Sequence, residues 1–460
     1  MLIRFIIENV LSFGEKKEFT TICSNNHIKT LKHHKYNFEE LNLLKLSSIY
    51  GANGAGKSNL IKAVALFQDF VVNQKMSYEL KQSAFKFNPK TIPQGLAIEF
   101  IEQDTPFYYG IEFIDDIIVS EELYISGLGN KDDKLIFHRT TDKNKNIEIK
   151  FLDAFENDEK SQILKSVLID DKFIKHNETI LKILANRENK FLQDIKKVYN
   201  WFESTLQIIT PESGPSALAH RIEKDVKFGN YVEDIVCSFN LGISSLQTEK
   251  IDIHEFFGKD NPDDLERMLE LVDLSPNNAV GARKEIKGPE TIFIKEGDKV
   301  WAKTLKLEHK GKTSKNLLFE LDEESDGTIR LLELAPAFYE LLNQNRVFLI
   351  DEIERSIHSL LIKELVKKFS LDENTKGQLI FTTHESNLLD QEIFRQDEIW
   401  FVEKDDTGST DLYSLSDFKE HKTIDIQKGY LNGRYGSIPF LGNLKDLNWH
   451  NYDTENQSEL

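Results

Sequence analysis

Twelve residues, Ile49 to Leu60 (IYGANGAGKSNL), concentrate the chemistry of this 460-residue chain. Gly51-Ala-Asn-Gly-Ala-Gly56-Lys57-Ser58 satisfies G-x-x-x-x-G-K-[ST] in full. Each residue type has a physical reason to be there. Gly51, Gly54 and Gly56 let backbone N–H groups curl toward an anion without a Cβ in the way, and Asn53 within the curl and Asn59 just after it are further expected nucleotide-binding residues. Lys57 reaches β- and γ-phosphate oxygens, and the Ser58 hydroxyl suits Mg2+. A helix starting here points its positive end at the phosphates. The expected ligand is ATP or GTP, with Mg2+.

A second group lies 294 residues beyond Lys57. In RVFLIDEIERSIHSLL, Val347 to Ile350 reads as a buried strand with Asp351 and Glu352 at its C-terminal end, where ligands gather in open α/β sheets. Asp351 is expected to hold Mg2+ and Glu352 to orient or deprotonate the water attacking a γ-phosphate. The next apolar strand, QLIFTTHES, is capped by His384, whose neutral imidazole suits a γ-phosphate or the attacking water. Catalytic roles therefore fall to Glu352 and His384, and metal binding to Ser58 and Asp351.

These residues need strands ending beside one another. Leu44, Leu46 and Ile49 predict a strand entering the Gly-rich loop, and Ser58 to Phe70 a helix leaving it. Ile3, Phe5 and Ile7 alternate as in a strand near a sheet edge, and four short runs between Leu96 and Phe137 predict an antiparallel meander. From about 152 to 210 the spacing is helical without sustained heptads, and 211–300 reads as mostly loop-like. Order returns with a strand at LKLEHK, a helix from about Gly327 to Leu342, and a strand at EIWFVEK. The expected divisions are 1–150, 151–300 as a mainly helical, partly irregular stretch, 301–420, and 421–460 as a tail.

Composition narrows the partners. The net charge of −19, from 58 Lys+Arg against 77 Asp+Glu, disfavours whole-surface attraction to nucleic acid or anionic lipid. Cys23 and Cys237 are the only cysteines and lie far apart, which favours a reducing, cytoplasmic setting. The N-terminus carries no export-signal pattern, and no apolar run reaches the roughly 18 residues of a membrane span. No D-x-D follows the strand-end acids, so no intrinsic nuclease is expected. The Asp-Asp pairs read as solvated, and His33-His34 as a surface loop or, less favoured, a contact to a nucleotide base.

Lysine loop, Asp-Glu strand end and His-capped strand, in that order, resemble the ATP-binding-cassette (ABC) ATPases of the SMC/RecF-like group. The opening IRFIIENVLSFGE is similar to that group's first strand and N-F-x-S-F turn, and the long gap to an insertion splitting one head. The resemblance implies an α/β P-loop head that dimerises, or assembles further, around ATP. The best match to the group's LSGGQ signature is Glu324-Ser325-Asp326-Gly327-Thr328, implying that Ser325 and Gly327 reach the γ-phosphate of a second subunit. Asp326 departs from the pattern and is expected to cap its own helix. Ser356 and His358 stand where the group makes cross-subunit contacts, and Gln82 is a candidate for its glutamine loop.

A narrower resemblance rests on EESDGTIRLLELAP, LIDEIERSIHSLL, FTTHESNLLD, DEIWFVEKD and GYLNGRYGSIPFLG. Together these resemble the AbiL/RloA-type abortive-infection ATPases, implying a role in bacterial anti-phage defence with a separate RloB-like effector. Two alternatives stay open: a RecF-like DNA-maintenance ATPase gripping nucleic acid directly, and a protein scaffold in which nucleotide is structural. The Arg-Tyr pair of the tail suits packing on the head or partner docking.

Overall fold

The computed structural model describes residues 1–24, 31–170, 173–213, 217–259, 261–283, 290–311, 316–418 and 425–438. The last part of the tail resemblance, from Pro439 on, lies outside these residues.

Four short apolar runs and one hairpin make the central six-stranded sheet. Its order is Leu206–Ile209, Val347–Ile350, Gln378–Thr382, Leu46–Gly51, Ile399–Lys404 and Thr410–Ser414. The first five strands are mutually parallel and the last turns back antiparallel. Every residue of Leu46–Gly51, Val347–Ile350 and Gln378–Thr382 is buried, as strands covered on both faces require. All five C-terminal ends therefore open on one edge, and the loops after Ile209, Ile350, Thr382 and Gly51 meet there.

One face of this sheet carries the helix Lys57–Asn73, sandwiched against a second, seven-stranded antiparallel sheet. Leu60, Ile61, Val64, Phe67, Phe70 and Val71 recur at helical spacing, and all are buried. Phe67 stacks on Tyr109 of the second sheet with centroids 5.7 Å apart. The expected meander forms this sheet, with Leu2–Glu8 one strand in from its edge strand Lys17–Thr20. Helices Asp326–Asn343, Ser359–Ser370 and Ile426–Leu431 cover the opposite face of the central sheet. The folded start of the tail, Gly433 to Ile438, comes beside the phosphate loop.

The middle of the chain departs from the expectation in two places. Leu206–Ile209, placed in a helical stretch, is a strand that completes the central sheet beside Val347–Ile350. Residues read as loop-like between 211 and 300 contain Ile243–Asp252, Ala279–Arg283 and Glu290–Glu296. With Lys299–His309 and Leu317–Glu320 they form a five-stranded antiparallel sheet, packed by Val226–Ser238 and Pro262–Leu274. No helix among the described residues is long and apolar enough to cross a membrane.

Candidate functional site

The Gly-rich loop folds as its composition dictates. Gly54 and Gly56 have φ of +77° and +119°, which L side chains rarely adopt. A Cβ at Gly56 would strike Thr410 Oγ1 and come 2.9 Å from Ser12 Oγ. Thr410 Oγ1 donates a hydrogen bond to the Ala55 carbonyl at 2.8 Å, so the central sheet's edge hairpin buttresses the loop from beneath. Gly56 ends the turn, and the helix opens at Lys57.

Lys57, 4% exposed, folds back over its own loop. Its Nζ donates to the carbonyls of Gly51 (2.6 Å) and Ala52 (3.2 Å) and faces His384 Nδ1 at 3.3 Å. Burial pushes the ammonium down from 10.5 to about 8, against the opposing pull of Glu354, Asp351 and Glu352. Burial and the Lys57 charge likewise lower His384, so the imidazole is neutral at pH 7 and its Nδ1 accepts from the lysine. An incoming polyphosphate would favour the charged lysine.

Asp351 and Glu352 follow their strand as expected, but several unforeseen groups hold them. Thr382 Oγ1 donates to Asp351 Oδ1 at 2.5 Å and accepts from the Glu352 N–H at 2.8 Å. Glu352 has φ of +48°, a strained value for a non-glycine residue. Arg330, buried on the helix after Ser325, donates to the carbonyls of Asp351 (3.4 Å) and Glu352 (3.5 Å) and pairs with Glu333 at 3.1 Å. The Asp351 N–H donates to Ile209 O at 2.8 Å. Glu354 Oε1 accepts the His384 backbone N–H at 2.6 Å, tying the two strand-end loops together.

The result is a cleft of 590 Å³ lined by the loop residues Ala52, Asn53, Gly54, Gly56, Lys57, Ser58 and Asn59, with Glu352, Glu354, Arg355 and His384. A neighbouring cleft of 810 Å³ shares Ser58, Glu352 and Arg355, and adds Asp351 and Thr210–Glu212. The structure thus brings Asn53, Gly54, Gly56, Lys57, Ser58, Asn59, Asp351, Glu352 and His384 to one edge, with Gly51 as the last strand residue beneath. Ser58, shared by both clefts, and Asp351, lining the second, offer hard oxygen donors, a donor set that fits Mg2+.

Other expected positions come out differently. Ser325, not Asp326, caps the helix Asp326–Asn343, its Oγ accepting from the Thr328 N–H at 3.2 Å. Asp326 is the first helical residue, because Ser325 already supplies the acceptor that the free N–H groups need. Neither Ser325 nor Gly327 lines the Lys57 cleft of its own chain. A Cβ at Gly327 would lie 2.8 Å from the Ser356 carbonyl, so this helix start packs on the loop after Glu352. Ser356 and His358 are exposed, and His358 Nδ1 caps the next helix through the Leu360 N–H. Gln82 is an exposed helix C-cap outside both clefts, whereas Thr210, Pro211 and Glu212 face Asp351 across the second one. The His33-His34 pair is not a base contact. His34 is buried between Glu398 Oε1 (2.7 Å) and Ser370 O (2.8 Å), at the end of the sheet opposite the cleft.

Sequence inspection missed Thr382, Arg330, Glu354, Arg355 and Thr210–Glu212. The doubled Thr before His384 and the four-residue pattern D-E-I-E were the available signals.

A family model described as "AAA domain, putative AbiEii toxin, Type IV TA system" matches residues 46–390, spanning the loop, Asp351–Glu352 and His384. No curated protein matches the chain. Among solved structures, similarity is found to the SMC head bound to the C-winged helix domain of ScpA (14% identity, TM-score 0.41, covering 90% of this chain and 97% of that one). The SMC head domain from Thermotoga maritima follows (12%, 0.36, 90% and 98%). So does the Smc head with an extended coiled coil bound to the C-terminal domain of ScpA from Pyrococcus furiosus (14%, 0.36, 94% and 98%). These likenesses concern the fold alone.

Proposed function

Because the chain belongs to this AAA-domain family and is a nucleotide-binding ATPase by kinship, we propose that it hydrolyses ATP slowly in the Lys57 cleft. On this reading two heads close around ATP, and the closed pair gates an effector protein in bacterial anti-phage defence, in the manner of the AbiL/RloA-type ATPases and an RloB-like partner. The observation that carries the ATPase reading is convergence. Lys57, Ser58, Asp351, Glu352 and His384 come from sequence-distant segments, yet they share two adjoining clefts.

On this reading each group has a task. Lys57 leaves its loop carbonyls to donate to β- and γ-phosphate oxygens, with the loop N–H groups around Gly54 and Gly56 as further donors. Ser58 and Asp351 hold Mg2+, which when bound supplies positive charge against the phosphates. Glu352 orients the attacking water and accepts its proton, and neutral His384 bonds the γ-phosphate. Ser325 and the N–H groups near Gly327, absent from the lining of their own cleft, serve the γ-phosphate of a second copy. ATP then favours the closed pair and hydrolysis releases it.

The test is to purify tagged Glu352→Gln, expressed with its neighbouring genes, in ATP and Mg2+, with Lys57→Ala as control. A protein retained only by the Glu352→Gln form supports effector gating. Retained nucleic acid without protein moves the reading to a RecF-like maintenance ATPase. Tight ATP retention by wild type with no turnover moves it to a scaffold.

A further inference from the structure

Thr382 is wholly buried at the C-terminal end of Gln378–Thr382, between the strand that carries Asp351 and the strand that enters the phosphate loop. A threonine hydroxyl has one proton to give and lone pairs to accept with. Here both capacities go to adjacent residues of the candidate catalytic pair: the proton to Asp351 Oδ1, the lone pair to the Glu352 N–H. A valine would fill nearly the same volume in the sheet but make neither bond.

We infer that Thr382 is a positioning residue that sets metal binding and water activation together, an inference resting on the reading of this cleft as an ATP-hydrolysis site. With Oδ1 held by the hydroxyl, Asp351 keeps a fixed rotamer, and its second oxygen is the one that would be left to bind Mg2+. With its N–H held, Glu352 stays in its left-handed conformation (φ +48°), which aims its side chain into the Lys57 cleft. The Glu352 carbonyl has other anchors, accepting from the Arg355 N–H at 3.0 Å and from Arg330. Thr382 is the side chain that bonds the Asp351 carboxylate and the Glu352 amide at once. Removing its hydroxyl leaves the Glu352 N–H without this acceptor and frees a carboxylate, whereas serine restores both bonds without the methyl group.

The experiment compares wild type, Thr382→Val and Thr382→Ser by two readouts. The first is Mn2+ affinity with a non-hydrolysable ATP analogue, by electron paramagnetic resonance. The second is kcat and KM for ATP. ATP binding in EDTA, which uses the loop and Lys57 but not the acidic pair, verifies the fold of each variant. Loss of a hydrogen bond to a charged group predicts Mn2+ binding weaker by about ten- to a hundredfold in Thr382→Val. The expected kcat falls by at least as much, KM barely moves, and Thr382→Ser lies within about threefold of wild type. Unchanged Mn2+ affinity and kcat in Thr382→Val would overturn the inference. So would a serine variant as impaired as the valine, which would assign the effect to packing. A wild type that binds no Mn2+ with the analogue would overturn the hydrolysis-site reading itself, and this inference with it.

Discussion

The protonation of Lys57 supplies the most quantitative prediction. Burial depresses its ammonium from 10.5 to about 8. At about 1.4 kcal/mol per pH unit, the charged form is roughly 3 kcal/mol less favourable there than in water. The groups facing it are Glu354, Asp351, Glu352 and the neutral His384; the three carboxylates moderate the burial penalty without cancelling it. For stability the sign runs one way. The folded state binds the proton less tightly than the unfolded chain, so the penalty is fully present below pH 8. It is relieved as pH rises from about 8 toward 10.5, and this group's contribution to stability increases across that window. For ATP the sign is opposite. Polyphosphate restores the ammonium, so binding takes up a proton wherever the empty lysine is neutral. At pH 8.5 about three quarters of the empty lysines are neutral, so uptake should be about 0.75 proton per site, and affinity should fall up to about tenfold per unit at higher pH. Calorimetry in two buffers of different ionisation enthalpy measures the uptake directly. The Lys57→Arg variant, whose guanidinium stays charged, should show none. Equal uptake by both proteins, or none by wild type, would refute the reasoning.

Other substitutions probe the remaining contacts. Glu352→Gln should keep ATP affinity and lower kcat by about a hundredfold or more, measured by phosphate release; hydrolysis equal to wild type would remove Glu352 from its role. Gly56→Ala forces a Cβ into a φ of +119° and against Thr410 and Ser12, at a cost of about 2–4 kcal/mol, read as a lower melting temperature and lost nucleotide binding. Ser325→Ala deletes a helix cap worth about 1 kcal/mol. In a Glu352→Gln background it should also abolish the ATP-dependent dimer seen by light scattering. Glu354→Gln keeps an acceptor for the His384 N–H and should retain most turnover, whereas Glu354→Ala should lose it about tenfold or more.

Legibility in the sequence followed how local each feature is. The phosphate loop was readable because its chemistry is contained in eight consecutive residues, and Asp351, Glu352 and His384 because each ends a short buried strand. Arg330 was not. On its helix it looks like one charge among apolar neighbours, and only the pairing of strands aims it at the carbonyls of Asp351 and Glu352. Thr382 was hidden for the same reason, since its two partners are some 30 residues away. The Asp326 expectation failed by one position, because Ser and Asp are comparable caps and the helix starts at the first of them.

The missed strand Leu206–Ile209 shows why a site can be incomplete on paper although its motifs are all in view. Its four residues follow directly on the helix Gln193–Asn200 and a single wide turn, Trp201–Thr205, so helical periodicity runs almost into the strand. Trp201 and Phe202 are fully buried, and Gln68 of the loop's own helix donates to the carbonyls of Phe202 (2.6 Å) and Leu206 (2.9 Å). These bonds pin the strand where it can pair with Val347–Ile350, which in turn lets Ile209 O accept the Asp351 N–H. A stretch that reads as insertion is therefore the outer wall of the acidic pair's sheet, and it delivers Thr210–Glu212 across from Asp351. Gln68→Leu removes both anchors without touching the cleft. It should leave the Lys57 loop able to bind ATP in EDTA, while weakening Mn2+ binding and lowering turnover about tenfold, through about 1–2 kcal/mol of lost support for Asp351. Turnover and Mn2+ affinity equal to wild type would show that the acidic pair does not depend on this strand.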